Sequence, residues 1–172
     1  MRYTPQDEKE PRITVAAKSR DTHHPARNTS PSMEQYIETI GELLLHEKVC
    51  SVSEIADRAG VSRPAASRAI RDLSEKGLVE HRAYGYVDLT TEGQILAERL
   101  EARHEALRAF LERVLQMDEE AADREACRLE HHLDDGVTAR IAAITEYFDT
   151  TPKARQQLAE RLADIPLDED PA

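Results

Sequence analysis

From Ser30 onward, apolar residues recur at helical spacing between short punctuation signals, whereas residues 1–29 carry no such period. Ser30-Pro31 sets an N-cap before a proline at the first helical position, and Ile37, Ile40 and Leu44 then share one face. The spacing predicts a helix to about Glu47. Ser51-Val52-Ser53-Glu54 is a capping-box pattern, opening a short helix through Ala59 that Gly60 closes. Ser62 caps a third helix, with Pro64 in its first turn and Gly77 just past its end. Residues 78–82 and 86–89 read as two short strands around a glycine-bearing turn, Ala83-Tyr84-Gly85. Thr90 caps a long helix to Leu115, with Leu96, Leu100, Leu107, Leu111 and Val114 in register and a break expected near Arg103. Asp118 opens a helix to about Leu133 and Asp134 one ending at Phe148. Thr151-Pro152 then repeats the cap-plus-proline signature before a last helix to Ala163.

The elements predict a mainly α fold with a small β wing. Residues 1–29 are expected as a disordered or loosely attached arm, either a tail without function or a basic arm touching DNA, with 30–90 a winged helix-turn-helix, 91–165 an all-α domain, and 166–172 a frayed acidic tail. Three helices, a tight turn at Gly60-Val61-Ser62 and a two-stranded wing are a DNA-reading arrangement, with Val61 expected to plug the core between helices. The third helix offers Ser62, Arg63, Pro64, Ser67, Arg68 and Arg71, spaced by small alanines that let it lie deep in a groove. Arg82 on the wing is within reach of backbone or minor groove.

Charge sharpens this reading. The 172-residue chain has a net charge of −11, which argues against coating nucleic acid by charge alone. Residues 58–82, however, hold six basic and three acidic side chains, a local excess of +3. No apolar run approaches the ~20 residues of a membrane span, and MRYTPQDEKE does not read as a signal peptide. Two cysteines, Cys50 and Cys127, make no disulfide framework, so a reducing cytoplasm is expected. Cys50 is expected in a structural loop position after the first helix.

Cys127, Glu130 and His131 stand at i, i+3 and i+4, so thiolate, carboxylate and imidazole project from one helix face, as divalent-metal ligands require. His104 lies on the preceding helix, and Gln35 and Glu38 share a face of the first. If these faces converge, one or two metals tie the reading unit to the helical domain. The plainer alternative makes Glu38 and Glu130 solvated carboxylates, Cys127 a small core residue and His132 a surface group.

The segments SMEQYIETI, GVSRPAASRAIRDLSEKGLVE, VDLTTEGQILAERLEARHEALRAFL and EACRLEHHLDD occur in that order. On them, residues 30–148 resemble the diphtheria-toxin-repressor family of metal-dependent transcription factors, in particular its short manganese-transport-regulator branch. The resemblance implies a C-terminal metal-binding and dimerisation domain. It places metal ligands at Gln35, Glu38, His104, Cys127, Glu130 and His131. That set is mixed: Cys127 matches iron-type members, Glu38 manganese-type members, and Gln35 neither the Asp nor the Met usual there. Asp123 and Arg108 replace the His and Glu of the iron branch's other site, and the chain leaves no room for the SH3-like domain of longer members.

The expected function is a homodimeric repressor of metal-uptake genes that binds a palindromic operator when loaded with metal. An amide oxygen and a thiolate favour Fe(II), Co(II) or Zn(II) over Mn(II), and the metal expected is Fe(II), with Mn(II) close behind. The dimer interface is expected from the apolar faces around residues 96–115 and from Ile141 and Ile144. Two alternatives stand beside this reading: a metal-independent winged-helix regulator, and a metal-dependent hydrolase, for which the chain offers no further nucleophile or phosphate-cradling loop. Oxidation of Cys127 is an additional candidate role.

Overall fold

The computed structural model describes residues 29–46, 50–82 and 85–165; all of the expected arm but Thr29, the acidic tail, Glu47 and the turn residues Ala83 and Tyr84 lie outside these. In chain order the elements are α1 (Pro31–His46), β1 (Cys50–Ser51), α2 (Val52–Arg58), α3 (Arg63–Glu75), β2 (Val79–His81), β3 (Tyr86–Leu89), α4 (Thr91–Arg113), α5 (Glu119–Glu130), α6 (Asp135–Thr150) and α7 (Pro152–Leu162). The capping signals act as the residues dictate. The Ser51 hydroxyl accepts from the Glu54 N–H at 3.3 Å while the Ser51 N–H donates to the Glu54 carboxylate at 2.7 Å, which satisfies two otherwise orphaned donors. Gly60 takes φ +64° in the turn before α3, a left-handed conformation that glycine adopts without a Cβ clash. Ser62 occupies the N-cap of α3 without a side-chain bond, leaving its hydroxyl unengaged by the helix.

The sheet has three strands rather than two. Cys50 pairs with Val87 and Ser51 with Tyr86, which adds β1 to the antiparallel β2–β3 hairpin in the order β1-β3-β2. Cys50 is therefore a buried strand residue, not a loop residue, and burial pushes its thiol up to about 11. A two-residue strand has no alternation for a sequence pattern to reveal.

Two apolar cores share helix α4. The first gathers Ile37 and Ile40 of α1, Ile55 of α2, Ile70 and Leu73 of α3, the wing residues Val79, Val87 and Leu89, and Leu96 and Leu100 of α4. The second gathers Leu107 and Leu111 of α4 with Ala122 and Ala126 of α5, packed by Phe110, Leu133 and Ile141. Helix α4 runs through both, 23 residues without interruption and roughly 34 Å long. The break expected near Arg103 does not occur. What reads as a gap in the apolar stripe between Leu100 and Leu107 is filled by Arg103 and His104, which turn into a polar junction between the cores.

The start of α4 is bolted to the wing. The Thr90 hydroxyl accepts from the Gly93 N–H at 3.1 Å and donates to the Gly77 carbonyl at 2.6 Å, and the Thr90 N–H donates to the Leu78 carbonyl at 3.1 Å. A Cβ on Gly93 would lie 2.0 Å from that Leu78 oxygen, so only glycine permits this approach.

Two expectations change. Val61 is 38% exposed and stands outside the core, whereas Ala66 of α3 is fully buried in it. The apolar stripe of α4 (Leu96, Leu100, Leu107, Leu111, Val114) is buried within the chain and unavailable to a partner copy. The large apolar side chains left exposed in the C-terminal half include Leu129, Ile144 and Tyr147.

Candidate metal centre

The polar junction is built from three helices. α1 contributes Glu34 and Glu38, one turn apart; α4 contributes Arg103 and His104; the end of α5 contributes Glu130 and the C-cap residue His131. Because α5 stops at Glu130 and not near Leu133, His131 leaves the helix while still facing α1.

Glu38, Glu130 and His131 bring one ligand atom each within 4.8 Å of one another. His131 Nε2 is 3.8 Å from Glu38 Oε2 and 3.7 Å from Glu130 Oε1. Glu130 is 2% exposed, and its other oxygen lies 2.9 Å from His104 Nδ1. His104 Nε2 in turn meets Asp123 Oδ1 at 3.1 Å. Two carboxylates aimed at one partly dry spot repel. Burial first, then the Glu130 carboxylate, push the Glu38 carboxyl up to about 7, with Glu34 adding and the two histidines opposing. The hydrogen bond to Glu130 raises His104 to about 9, Asp123 adding to it and burial opposing. A carboxylate faces each His104 nitrogen, and this favours the protonated ring in the metal-free site.

The sequence-derived ligands divide accordingly. Glu38, Glu130 and His131 converge, and His104 joins them through Glu130. Cys127 lies at the rim, exposed overall, its thiol raised by partial burial and by the Glu130 and Glu38 carboxylates, and so weakly nucleophilic. Gln35 is exposed on α1, one turn before Glu38. Sequence reasoning missed Glu34, whose Oε2 meets His131 Nδ1 at 3.1 Å, and Arg103, whose Nη1 lies 3.7 Å from the same oxygen. A charged residue inside an apolar helical stripe was the available signal for Arg103. Arg108, at the position of the other family site, is engaged by Glu105 and Glu112.

In the reading unit, the N-cap Ser62 and Arg63, Pro64, Arg68 and Arg71 of α3 are exposed, and Ser67 is half-buried. Arg63, Arg68 and Arg71 form no ion pair among the described residues. Arg82 differs, pairing with Asp88 at 2.5 Å and Glu80 at 3.6 Å.

Residues 90–159 match the family described as iron dependent repressor, metal binding and dimerisation domain, and residues 43–112 match the HVO_A0261 N-terminal domain. The HTH-type transcriptional regulator MntR of Bacillus velezensis is 32% identical over 130 residues, covering 76% of this chain and 91% of that protein. A solved manganese-dependent transcriptional repressor in complex with manganese matches with TM-score 0.62 and 34% identity, over 67% of this chain and 53% of that one. ScaR with bound Zn2+ matches with TM-score 0.59 and 27% identity, over 67% of this chain and 54% of that one. The chain thus spans about half the length of these two structural neighbours. These relatives carry the names of regulators, not of enzymes. By its identity across nine-tenths of the Bacillus protein and its match to the metal-binding and dimerisation domain, this chain belongs to the diphtheria-toxin-repressor family of metal-dependent transcriptional regulators.

Proposed function

We propose that the protein is a cytoplasmic, homodimeric repressor of metal-uptake genes, binding a palindromic operator when Mn(II) or Fe(II) fills the junction between its two cores. The observation that carries this reading is the convergence of Glu38 from α1 with Glu130 and His131 from α5. The donor chemistry fits a divalent cation: two carboxylates and an imidazole at one spot, with Glu38 forced toward its neutral form by burial and by the Glu130 carboxylate beside it. Glu38, Glu130, His131 and His104 are the ligands, with Gln35 and Cys127 at the rim. Carboxylate and imidazole donors suit Mn(II) and Fe(II), and this set is harder than the thiolate-containing one the sequence suggested. When bound, the cation supplies the charge that the two carboxylates lack.

The chain's own residues do the rest. Glu38 belongs to the helix that packs the reading unit, while Glu130 and His131 belong to the second core. Holding them together restricts how α3 is presented relative to the dimerisation domain. Two copies must set their α3 helices about one duplex turn apart, so restricting that geometry raises operator affinity. Linkage then requires the operator to tighten metal binding by the same factor, typically ~1–3 kcal/mol. Arg63, Arg68 and Arg71 reach base edges or phosphates with Ser62, Pro64 and Ser67 beside them, and Arg82 contributes from the wing. The exposed Ile144 and Tyr147 on α6 suit a partner copy.

The test is anaerobic fluorescence anisotropy on DNA from upstream of its own gene and neighbouring transporter genes. Fe(II), Mn(II), Co(II) and Zn(II) are titrated separately at one salt concentration, with chelator reversal. Metal-driven, reversible binding that His131→Ala abolishes without dissociating the dimer supports the reading. Tight binding indifferent to metal replaces it with a metal-independent winged-helix regulator.

A further inference from the structure

We infer that Glu34 orients His131 for the metal centre and that Arg103 holds Glu34 in place, an inference that rests on the site proposed above. The three side chains are largely withdrawn from water, at 12%, 13% and 11% exposure for Glu34, His131 and Arg103. Glu34 Oε1 accepts from the Thr29 hydroxyl at 3.0 Å, and Oε2 lies 3.1 Å from His131 Nδ1 and 3.7 Å from Arg103 Nη1. Both oxygens are thus engaged by donors, which leaves Glu34 poorly placed to be a ligand itself although it lies one turn from Glu38.

A carboxylate only accepts, so the hydrogen between Glu34 and His131 sits on Nδ1. The lone pair of the neutral ring is then on Nε2, the nitrogen that faces Glu38 and Glu130. With the opposite tautomer the ring would donate toward those carboxylates and offer a cation nothing. The bond at one imidazole nitrogen thereby determines what the other can do, the usual role of a carboxylate behind a metal-binding histidine.

Arg103 explains why Glu34 stays where it is. Nη1 donates to the Glu130 backbone carbonyl at 3.0 Å and Nη2 to Asp135 Oδ1 at 2.8 Å, while Nε is buried without a partner. One guanidinium therefore touches α1, the end of α5 and the start of α6, with one of its N–H groups left unsatisfied. Leaving a buried donor unpaired costs free energy, and the fork geometry is what the position retains in exchange.

The test uses the full-length protein and two readouts. Two-dimensional 1H–15N NMR of the histidine rings in the metal-free protein, at about pH 9, reports the His131 tautomer directly. Mn(II) titration, followed by the EPR signal of the free ion, reports affinity. In wild type the expected result is hydrogen on Nδ1 and none on Nε2. Glu34→Gln, which accepts or donates equally well, is expected to lose that bias and to weaken Mn(II) binding about 10-fold or more. Glu34→Asp, keeping the charge with a shorter reach, is expected to fall between. A wild-type ring protonated at Nε2 overturns the inference even if neither variant folds. So does unchanged Mn(II) affinity in Glu34→Gln when His131→Ala weakens binding. If His131→Ala itself leaves Mn(II) affinity unchanged, the site assignment fails, and the inference with it.

Discussion

Two groups in the junction hold protons that a metal ion must displace, and this makes affinity steeply pH-dependent. Glu38 titrates at about 7 and His104 at about 9 in the metal-free protein. Both values are raised, so the metal-free form binds these protons more tightly than free side chains do, and affinity for metal rises with pH. At pH 7 Glu38 is half protonated and His104 almost fully, so ligation by both releases about 1.5 protons per metal. Integrated from pH 7 to pH 8, competition from these two groups alone relaxes by about 17-fold. If His104 keeps its proton and only Glu38 is displaced, the gain is under about 2-fold. A thiolate ligand at Cys127 steepens the profile further, by up to about 10-fold more, because that thiol is also raised. The assay is Mn(II) titration across this range in wild type, His104→Gln and Cys127→Ser, with proton release followed by a pH indicator in weak buffer. A wild-type gain below about 3-fold over that unit refutes the assignment of His104 as a ligand. A steep profile unchanged in His104→Gln refutes the account of its cause.

Gly93→Ala is expected to destabilise the protein by about 3 kcal/mol, because its Cβ meets the Leu78 carbonyl oxygen at 2.0 Å and backbone must move. An unaltered urea midpoint contradicts the close approach. Arg68→Ala is expected to weaken operator binding and lower the magnitude of the log-affinity versus log-salt slope by about 1 if it contacts a phosphate. Arg82→Ala is expected to cost less, under about 3-fold in affinity, because Arg82 must first leave Asp88 and Glu80; a larger loss than that of Arg68→Ala in a salt titration reverses the ranking.

Local chemistry was legible where one or two adjacent residues carry it. The capping box at Ser51, the left-handed Gly60 and Gly77, the prolines opening α1, α3 and α7, and the caps at Thr90, Asp118 and Asp134 all lie where the pattern of the chain puts them. The i/i+3/i+4 set was equally legible, because Cys127 and Glu130 lie on α5 and its C-cap His131 keeps an αR backbone. The junction at Arg103 was misread for an instructive reason. A polar residue in an apolar stripe looks like a break when the stripe is assumed to face one continuous core.

The arrangement of helices and wing, the reading surface and the face that presents Glu130 and His131 follow from periodicity and capping, since both are local properties of the backbone. Which of the candidate ligands meet does not. Glu38 and Glu130 are 92 residues apart, and their approach depends on how α1 packs on α4 and where α5 ends. The partners of Glu34 and Arg103 and the burial of the α4 stripe within the chain depend on the same packing. Burial and neighbouring charge, which set the protonation of Glu38 and His104, exist only once the helices are in contact.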